Sequence, residues 1–164
     1  MERLAARLAR ELHRGQVDKA GKDYFEWHLS TVGSNGADWK EKTVGFLHDA
    51  AEDTGHTVGG IVGMLRAMVS DSREEICHRP SEDDWNEITE ALELMNSRTA
   101  PDRQAYIERF RGHGLAIRVK LTDMRHNMDL SRIPHPTPND LARLERYRKE
   151  YAALEGMLAS LERR

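Results

Sequence analysis

Residues 46–54 read Phe46-Leu47-His48-Asp49-Ala50-Ala51-Glu52-Asp53-Thr54. Four ionisable side chains follow directly after two large apolar ones. On an α-helix, residues four apart are neighbours, so His48 would lie beneath Glu52 and Asp49 beneath Asp53. Three carboxylates beside one imidazole repel one another, and a divalent cation is the simplest group that would stabilise them. This stretch therefore predicts one amphipathic helix that carries part of a metal site.

The apolar residues around this stretch predict the fold class. Every sizeable apolar run repeats at helical spacing, so we expect an all-α, compact bundle of about seven or eight helices. The predicted helices cover residues 2–13, 24–32, 39–53, 58–69, 82–95, 101–111, 115–130 and 140–163. The expected N-caps are Asp38 (in a capping box with Glu41), Thr57, Ser81 and Asn139. Residues 70–80 are predicted to be a polar loop or frayed helix, and the prolines at 134, 136 and 138 to exclude helix.

Length, charge and cysteine content restrict the class of protein. The 164 residues suit one domain over 1–164, and the charged fraction of 32% suits a soluble helical chain. A net charge of -3 argues against a general nucleic-acid partner. No segment approaches the roughly 20 apolar residues that span a membrane, and the N-terminus lacks a signal-peptide run. The lone Cys77 excludes an internal disulfide, is not expected to be catalytic, and fits the cytoplasm. The oligomeric state stays open, with a homo-oligomer as one alternative.

Two residues outside the central stretch are candidate partners for His48 and Asp49. His28 follows an aromatic run, and a packed core histidine is the alternative interpretation. Asp123 lies off the apolar stripe of its helix, with a lysine and an asparagine on the same face, and a solvated ion pair is the alternative. The four residues offer two imidazole nitrogens and two carboxylates from three helices. Such a set suits one divalent ion, Mn²⁺ first, with Fe²⁺ or Zn²⁺ as alternatives.

Two further carboxylates, Glu52 and Asp53, follow this set by one helical turn. A bound divalent ion lowers the pKa of water. Glu52 and Asp53 could then take the proton from that water, orient it, and protonate the leaving oxygen. The pattern therefore predicts metal-dependent hydrolysis. We expect the other histidines, His113 and His126 among them, to lie on the surface.

Three segments of the chain together resemble a known family. They are His13-x-Gly15-Gln16-x-x-Lys19-x-Gly21-x-x-Tyr24, Phe46-Leu47-His48-Asp49-x-x-Glu52-Asp53-Thr54 and Arg118-Val119-Lys120-Leu121-Thr122-Asp123-x-x-x-Asn127-Met128. The spacing resembles the metal signature of the HD phosphohydrolase superfamily. It is most similar to the hydrolase domain of RelA/SpoT-type alarmone enzymes and their small stand-alone relatives. The resemblance runs from about residue 4 to residue 155.

The resemblance implies a helical HD fold with one Mn²⁺ that removes the 3′-pyrophosphate from guanosine tetra- or pentaphosphate, a small nucleotide substrate. It implies that the metal ligands are His28, His48, Asp49 and Asp123. Glu52 and Asp53 would be the water-activating pair. Lys19 would lie against the base or phosphates, and Asn127 would contact the ribose.

The chain also departs from the family pattern in its first loop. Asp18 stands where these hydrolases carry an arginine, and Leu29 stands where a proline commonly follows the first histidine. A carboxylate near a highly anionic nucleotide weakens its binding or selects another substrate. A hydrolase of another nucleotide is therefore the second hypothesis. A sensor that binds a nucleotide without cleaving it is the third, less favoured because Glu52 and Asp53 are both present.

Overall fold

The computed structural model describes residues 1–72, 79–133 and 135–163. These residues form helices joined by short loops, with an isolated antiparallel bridge between Val17 and Asp23. The predicted all-α class is confirmed. The α-helices are α1 (Glu2–Leu12), α2 (Ser30–Ser34), α3 (Trp39–Leu47), α4 (Ala50–Asp53), α5 (Val58–Asp71), α6 (Glu82–Met95), α7 (Arg103–Glu108), α8 (Gly114–Asn127) and α9 (Pro138–Glu162). A π-helical turn covers Phe25–Leu29, and 3₁₀ turns cover Ser97–Thr99 and Leu130–Arg132. None of these helices combines the length and apolar character needed to cross a bilayer.

Helix α3 lies at the centre of the bundle. It packs against α1, α2, α6 and α8, while α9 covers the outside of α8. The buried side chains form one apolar cluster to which most of the helices contribute. Its fully buried members include Leu29, Leu47, Ile61, Ile88, Ile117 and Leu154. Because α3 is surrounded in this way, the residues at its C-terminal end emerge in the interior of the molecule.

Two glycines set the distance between α2 and α3. A Cβ atom on Gly45 would meet the Cα of Gly33 at 2.9 Å, and one on Gly33 would meet the ring of Phe46 at 2.5 Å. Side chains larger than hydrogen at these positions would push the helices apart. The two helix backbones therefore touch, and α2 continues directly from the π-helical turn that carries His28.

Three of the predicted N-caps are confirmed. The Asp38 carboxylate accepts from the Glu41 amide at 2.9 Å, and the Thr57 hydroxyl accepts from the Gly60 amide at 3.1 Å. Ser81 forms a capping box with its N3 residue. These helix starts depend on residues within one turn, which is why local sequence suffices to find them. The capping box predicted between Asp38 and Glu41 is only half formed. The Glu41 carboxylate accepts from the Ala37 amide instead of the Asp38 amide.

The continuous helix predicted through the central stretch is wrong. Helix α3 ends at Leu47, and α4 begins at Ala50. Between them Asp49 has φ −96° and ψ −4°, a conformation found at turns and in active sites. A straight helix would separate adjacent side chains by about 100°. The break lets His48 and Asp49 point to the same place.

Several further boundaries differ from the prediction. Helix α9 begins at Pro138 with Thr137 as its N-cap, so Asn139 lies inside the helix, and Pro138 at its first position does not exclude helix. Helix α7 begins after Asp102 rather than at Pro101. Helix α8 ends at Asn127.

The predicted 70–80 loop is only partly described. Helix α5 continues through its first two residues to Asp71. The predictions for Cys77, His78 and Pro134 lie outside the described residues.

Candidate metal centre

His48 forms the inner wall of the candidate site. The residue is 1% exposed at the end of α3. Its Nδ1 lies 2.8 Å from the Gly45 carbonyl oxygen, which can only accept, so Nδ1 carries the proton. The Nε2 lone pair then faces the neighbouring polar side chains. This is the arrangement that orients a histidine ligand in metalloproteins.

His28 faces His48 from the π-helical turn. It is 3% exposed, and its Nε2 lies 3.3 Å from His48 Nε2. Its Nδ1 lies 2.8 Å from Nδ1 of His126 on α8, so the second nitrogen is engaged outside the cluster. His28 is thus buried, as expected for a packed core histidine, but its Nε2 faces polar groups. The surface prediction for His126 is wrong, because its ring is half-buried against His28.

Asp49 completes a three-residue group with the two histidines. Its Oδ2 lies 3.0 Å from His48 Nε2 and 3.2 Å from His28 Nε2. The same oxygen accepts a hydrogen bond from the Tyr24 hydroxyl at 2.6 Å. One nitrogen or oxygen atom of each of His28, His48 and Asp49 lies within 4.8 Å of the others. This group could hold a metal ion.

Asp123 brings a second carboxylate to the two imidazoles from α8. Its Oδ1 lies 3.3 Å from His28 Nε2 and 3.6 Å from His48 Nε2, and it accepts from the Asn127 amide at 2.6 Å. Its Oδ2 accepts from the Lys120 ammonium at 2.8 Å. Asp123 is 4% exposed, so the alternative of a solvated surface pair is wrong. Two imidazole nitrogens and two carboxylates converging in a buried space fit a borderline-hard divalent cation.

The charged side chains of this cluster shift one another's pKa values. Burial alone would lower the pKa of His48, but the carboxylates of Asp49 and Asp123 outweigh it and raise the pKa to about 10. Burial would raise the pKa of Asp49, but the two histidines hold it well below its usual range. The metal-free cluster therefore attracts positive charge strongly. A divalent cation would supply that charge in place of imidazole protons.

Lys120 is the cation that the cluster already contains. Its side chain is 11% exposed and lies over the ring of Tyr106, with Nζ 5.3 Å from the centroid. Burial would lower the pKa of Lys120, but Asp123 and Tyr106 outweigh it and raise the value, so the amine stays charged. Tyr106 is itself fixed by donating to the Met95 carbonyl at 2.9 Å.

The two predicted water-activating carboxylates have different surroundings. Glu52 accepts from the backbone amide of Ser97 at 3.0 Å and from its hydroxyl at 2.9 Å, so both of its oxygens are engaged. Asp53 is more exposed, yet partial desolvation of its carboxyl, with the charges of Asp49 and Glu52, raises its pKa to about 6. The predicted stacking of His48 beneath Glu52 is wrong, because the helix breaks between them. Sequence reasoning also missed Ser97, which lies in a separate 3₁₀ turn.

A pocket of about 260 Å³ opens beside His28. Its lining includes Lys19, Tyr24, His28, Asn127, Asp129 and Arg143. The predicted substrate residues Lys19 and Asn127 thus both reach it, together with Arg143 from α9, which the sequence did not single out. Lys19 lies 3.4 Å from the Asp140 carboxylate at the pocket edge. The lining thus offers two cationic side chains and an amide to a ligand, next to the carboxylates of Asp18 and Asp129.

Asp18 also lines the pocket but serves its own loop. Its Oδ1 accepts from the amides of Ala20 at 2.8 Å and Lys22 at 3.0 Å. The carboxylate therefore organises the loop that carries Lys19. Its negative charge lies at the pocket.

Two further histidines have roles that the sequence did not reveal. The Nδ1 of His113 accepts from the Ala116 amide at 3.2 Å and caps α8, so its predicted surface role is wrong. His13 is 1% exposed beside Tyr24, and burial lowers its pKa. Its ring shares a hydrogen bond with Gln16 at 2.8 Å. A neutral His13 therefore supports the wall behind Tyr24.

Comparison with known proteins adds no name to this site. A scan against protein-family models matches none of them to the chain, and a search of the curated proteins finds no match either.

Proposed function

We propose that this chain is a metal-dependent phosphohydrolase that acts on a nucleotide. The observation that carries the proposal is the convergence of His28, His48, Asp49 and Asp123 in one buried cluster beside a pocket with cationic residues. A divalent cation bound there would polarise a phosphoryl oxygen and lower the pKa of a water molecule. Mn²⁺ is the first candidate, and Fe²⁺ and Zn²⁺ follow.

The side chains around the cluster divide the remaining work. Asp53, with a pKa of about 6, would accept the proton of the attacking water near neutral pH. Glu52 is held by Ser97 and raises the pKa of Asp53 by charge repulsion. Tyr24 donates to Asp49 and fixes its orientation.

The pocket supports a phosphorylated substrate. Lys19 and Arg143 offer positive charge to phosphate groups, and Asn127 joins the pocket to the cluster through its bond to Asp123. We propose guanosine 3′,5′-bis(diphosphate) as the first substrate to test, with release of the 3′-pyrophosphate. This choice rests on the sequence resemblance to alarmone hydrolases.

The test is elemental analysis followed by product identification. Purified protein stripped of metal and reloaded with Mn²⁺ is incubated with guanosine 3′,5′-bis(diphosphate), GTP and GMP, and the products are separated by ion-exchange chromatography. We expect one metal ion for each chain and pyrophosphate release only after loading. Asp123→Asn is expected to lose both, whereas Asp83→Asn, an exposed aspartate on α6, is the matched control. Equal rates with and without metal would end the proposal.

A second candidate keeps the site and changes the nucleotide. It is favoured by the negative charge of Asp18 at the pocket. Asp18→Asn keeps an oxygen for the Ala20 and Lys22 amides but removes the charge. If a less charged nucleotide is the substrate, wild-type protein turns over GMP faster than the bis(diphosphate). In Asp18→Asn the two turnover rates should be more similar. Metal-dependent binding of every nucleotide without any product would instead indicate a sensor.

A further inference from the structure

Lys120 is the charged group closest to the cluster that the proposed reaction does not use. It is buried on α8 one turn before Asp123, and its Nζ lies 2.8 Å from Asp123 Oδ2. A buried ion pair alone is weak evidence for a stabilising role, since desolvation offsets much of the attraction. The position of this pair relative to the two imidazoles suggests another purpose.

The two oxygens of Asp123 have separate partners. Oδ2 accepts from Lys120, whereas Oδ1 faces His28 Nε2 at 3.3 Å and His48 Nε2 at 3.6 Å. Asn127 donates to Oδ1 at 2.6 Å and holds the carboxylate from the other side. The carboxylate is therefore clamped in one orientation, with a single oxygen available to the centre.

Lys120 is itself held in place. Its ammonium lies 5.3 Å from the centroid of Tyr106, and the Tyr106 hydroxyl is fixed to the Met95 carbonyl on α6. The two carboxylates of the cluster balance the two charges of a divalent cation. Among the cation, Asp49, Asp123 and Lys120, the lysine then supplies the one positive charge that no ligand carboxylate balances.

We propose that Lys120 is a positioning residue that restricts Asp123 to one-oxygen ligation of the metal and so keeps coordination positions open for water and substrate. The inference rests on the proposed function, because it requires a divalent cation in the cluster. Carboxylates bind metals through one or two oxygens, and the outer partners of a ligand commonly decide which. Without Lys120, Oδ2 is free to turn toward the cation.

The test uses Co²⁺ alone as the probe and compares wild-type protein with Lys120→Met and Lys120→Arg. The visible absorption of Co²⁺ weakens as its coordination number rises. We expect a shift of the visible bands in Lys120→Met, with binding of Co²⁺ retained, because the second Asp123 oxygen either adds a ligand or replaces a bound water. Hydrolysis with Mn²⁺ should fall on the order of 10- to 100-fold, as for other outer partners. Lys120→Arg keeps a donor for Oδ2 and should restore the wild-type spectrum.

The matched control is Lys42→Met. Lys42 also pairs with a carboxylate, Glu2 on α1 at 3.2 Å, but it does not line the cluster or its pocket. Its spectrum and rate should equal those of the wild type. A merely structural role for Lys120 would lower stability and leave the Co²⁺ spectrum unchanged, and that outcome overturns the inference.

A crystal structure of the metal-loaded wild-type protein decides the question even if Lys120→Met does not fold. One Asp123 oxygen on the cation supports the inference, and two overturn it. Failure of the proposed function has a different signature, namely a wild-type protein that binds neither Co²⁺ nor Mn²⁺. Binding and hydrolysis with an unchanged Lys120→Met spectrum would remove only the role of Lys120.

Discussion

The candidate metal cluster and the pocket beside it both contain charged and polar side chains, but these side chains differ in their exposure to solvent. In the cluster, His28, His48 and Asp123 are at most 4% exposed, and their polar atoms face one another. In the pocket, the Lys19 side chain is 66% exposed and pairs with Asp140 at 3.4 Å. Burial makes the first set costly to alter, whereas solvent screens the second. The difference teaches that the fold fixes the candidate metal ligands, whereas the charges at the pocket stay open to solvent.

Breaking the inner cluster should have the largest effect. His48→Ala removes an imidazole, its bond to Gly45 and its packing, so we expect Mn²⁺ content near zero and no detectable hydrolysis. The free energy of unfolding should fall by more than about 2 kcal/mol, since a buried side chain is truncated. Dialysis with elemental analysis and thermal unfolding measure the two changes. His56→Ala, at an exposed position, is the control, and normal metal content in His48→Ala would contradict the ligand assignment.

Changing Asp53, an exposed carboxylate that interacts electrostatically with Asp49, should slow hydrolysis without removing the metal. For Asp53→Asn we expect a rate lower by on the order of 10²- to 10⁴-fold, because a general base is lost. Stability should change by less than about 0.5 kcal/mol at this exposed residue. Rates at saturating Mn²⁺ and urea unfolding give both quantities.

Glu52→Gln sharpens the same comparison. The variant can offer only one oxygen to Ser97, so its free energy of unfolding should fall by about 1–2 kcal/mol. Its hydrolysis rate should fall on the order of 10²-fold or more, with the metal retained. An unchanged rate in Glu52→Gln would leave Asp53 as the sole base.

The pH dependence of the metal-free protein reports on the inner cluster. The folded pKa of His48, about 10, lies above its ordinary 6.5, so its stabilising charge is fully present below pH 6.5 and is lost as the pH rises toward 10. We expect the free energy of unfolding to fall by a few kcal/mol, as an order of magnitude, over that window. Added Mn²⁺ competes with the imidazole protons, and its stabilising effect should grow over the same range. Urea unfolding with EDTA and with Mn²⁺ tests both, and a flat profile in EDTA would contradict the charge on His48.

Changing the pocket alone should have the smallest effect. Lys19→Ala removes one screened charge, so we expect KM for an anionic nucleotide to rise by about 3- to 10-fold with kcat and metal content unchanged. Steady-state kinetics at two salt concentrations measure this, since screening by salt should reduce the difference in KM between wild type and Lys19→Ala. A fall in kcat of the same size would mean that Lys19 contacts the reacting phosphate.

Much of the fold could be predicted because helix starts depend on neighbouring residues. Asp38, Thr57 and Ser81 each accept a hydrogen bond from an amide three residues on, and the sequence shows these pairs directly. The start of α9 was missed although the signal was present. Thr137 has Pro138 and Asp140 at the first and third helical positions, which is a stronger start than Asn139.

The parts of the site that could not be predicted depend on contacts between distant segments. The break at His48 and Asp49 contains no glycine or proline, so the local sequence carries no signal for it. His126 and Ser97 are ordinary residues in the sequence, and their partners lie far from them along the chain. His28 and Asp123 could be singled out from their sequence neighbours, an aromatic run and a polar helix face, but those neighbours left a core histidine and a surface ion pair as alternatives.

The contact between Gly33 and Gly45 has a consequence for the two histidines. His28 and His48 lie near the ends of segments whose backbones touch there, so this contact helps to set the distance between the two residues. Because this contact is between backbones, we expect the spacing of the two histidines to stay the same whether or not an ion is bound. We therefore expect the site to prefer cations of a certain radius, and a methyl group added at Gly45 to change that preference.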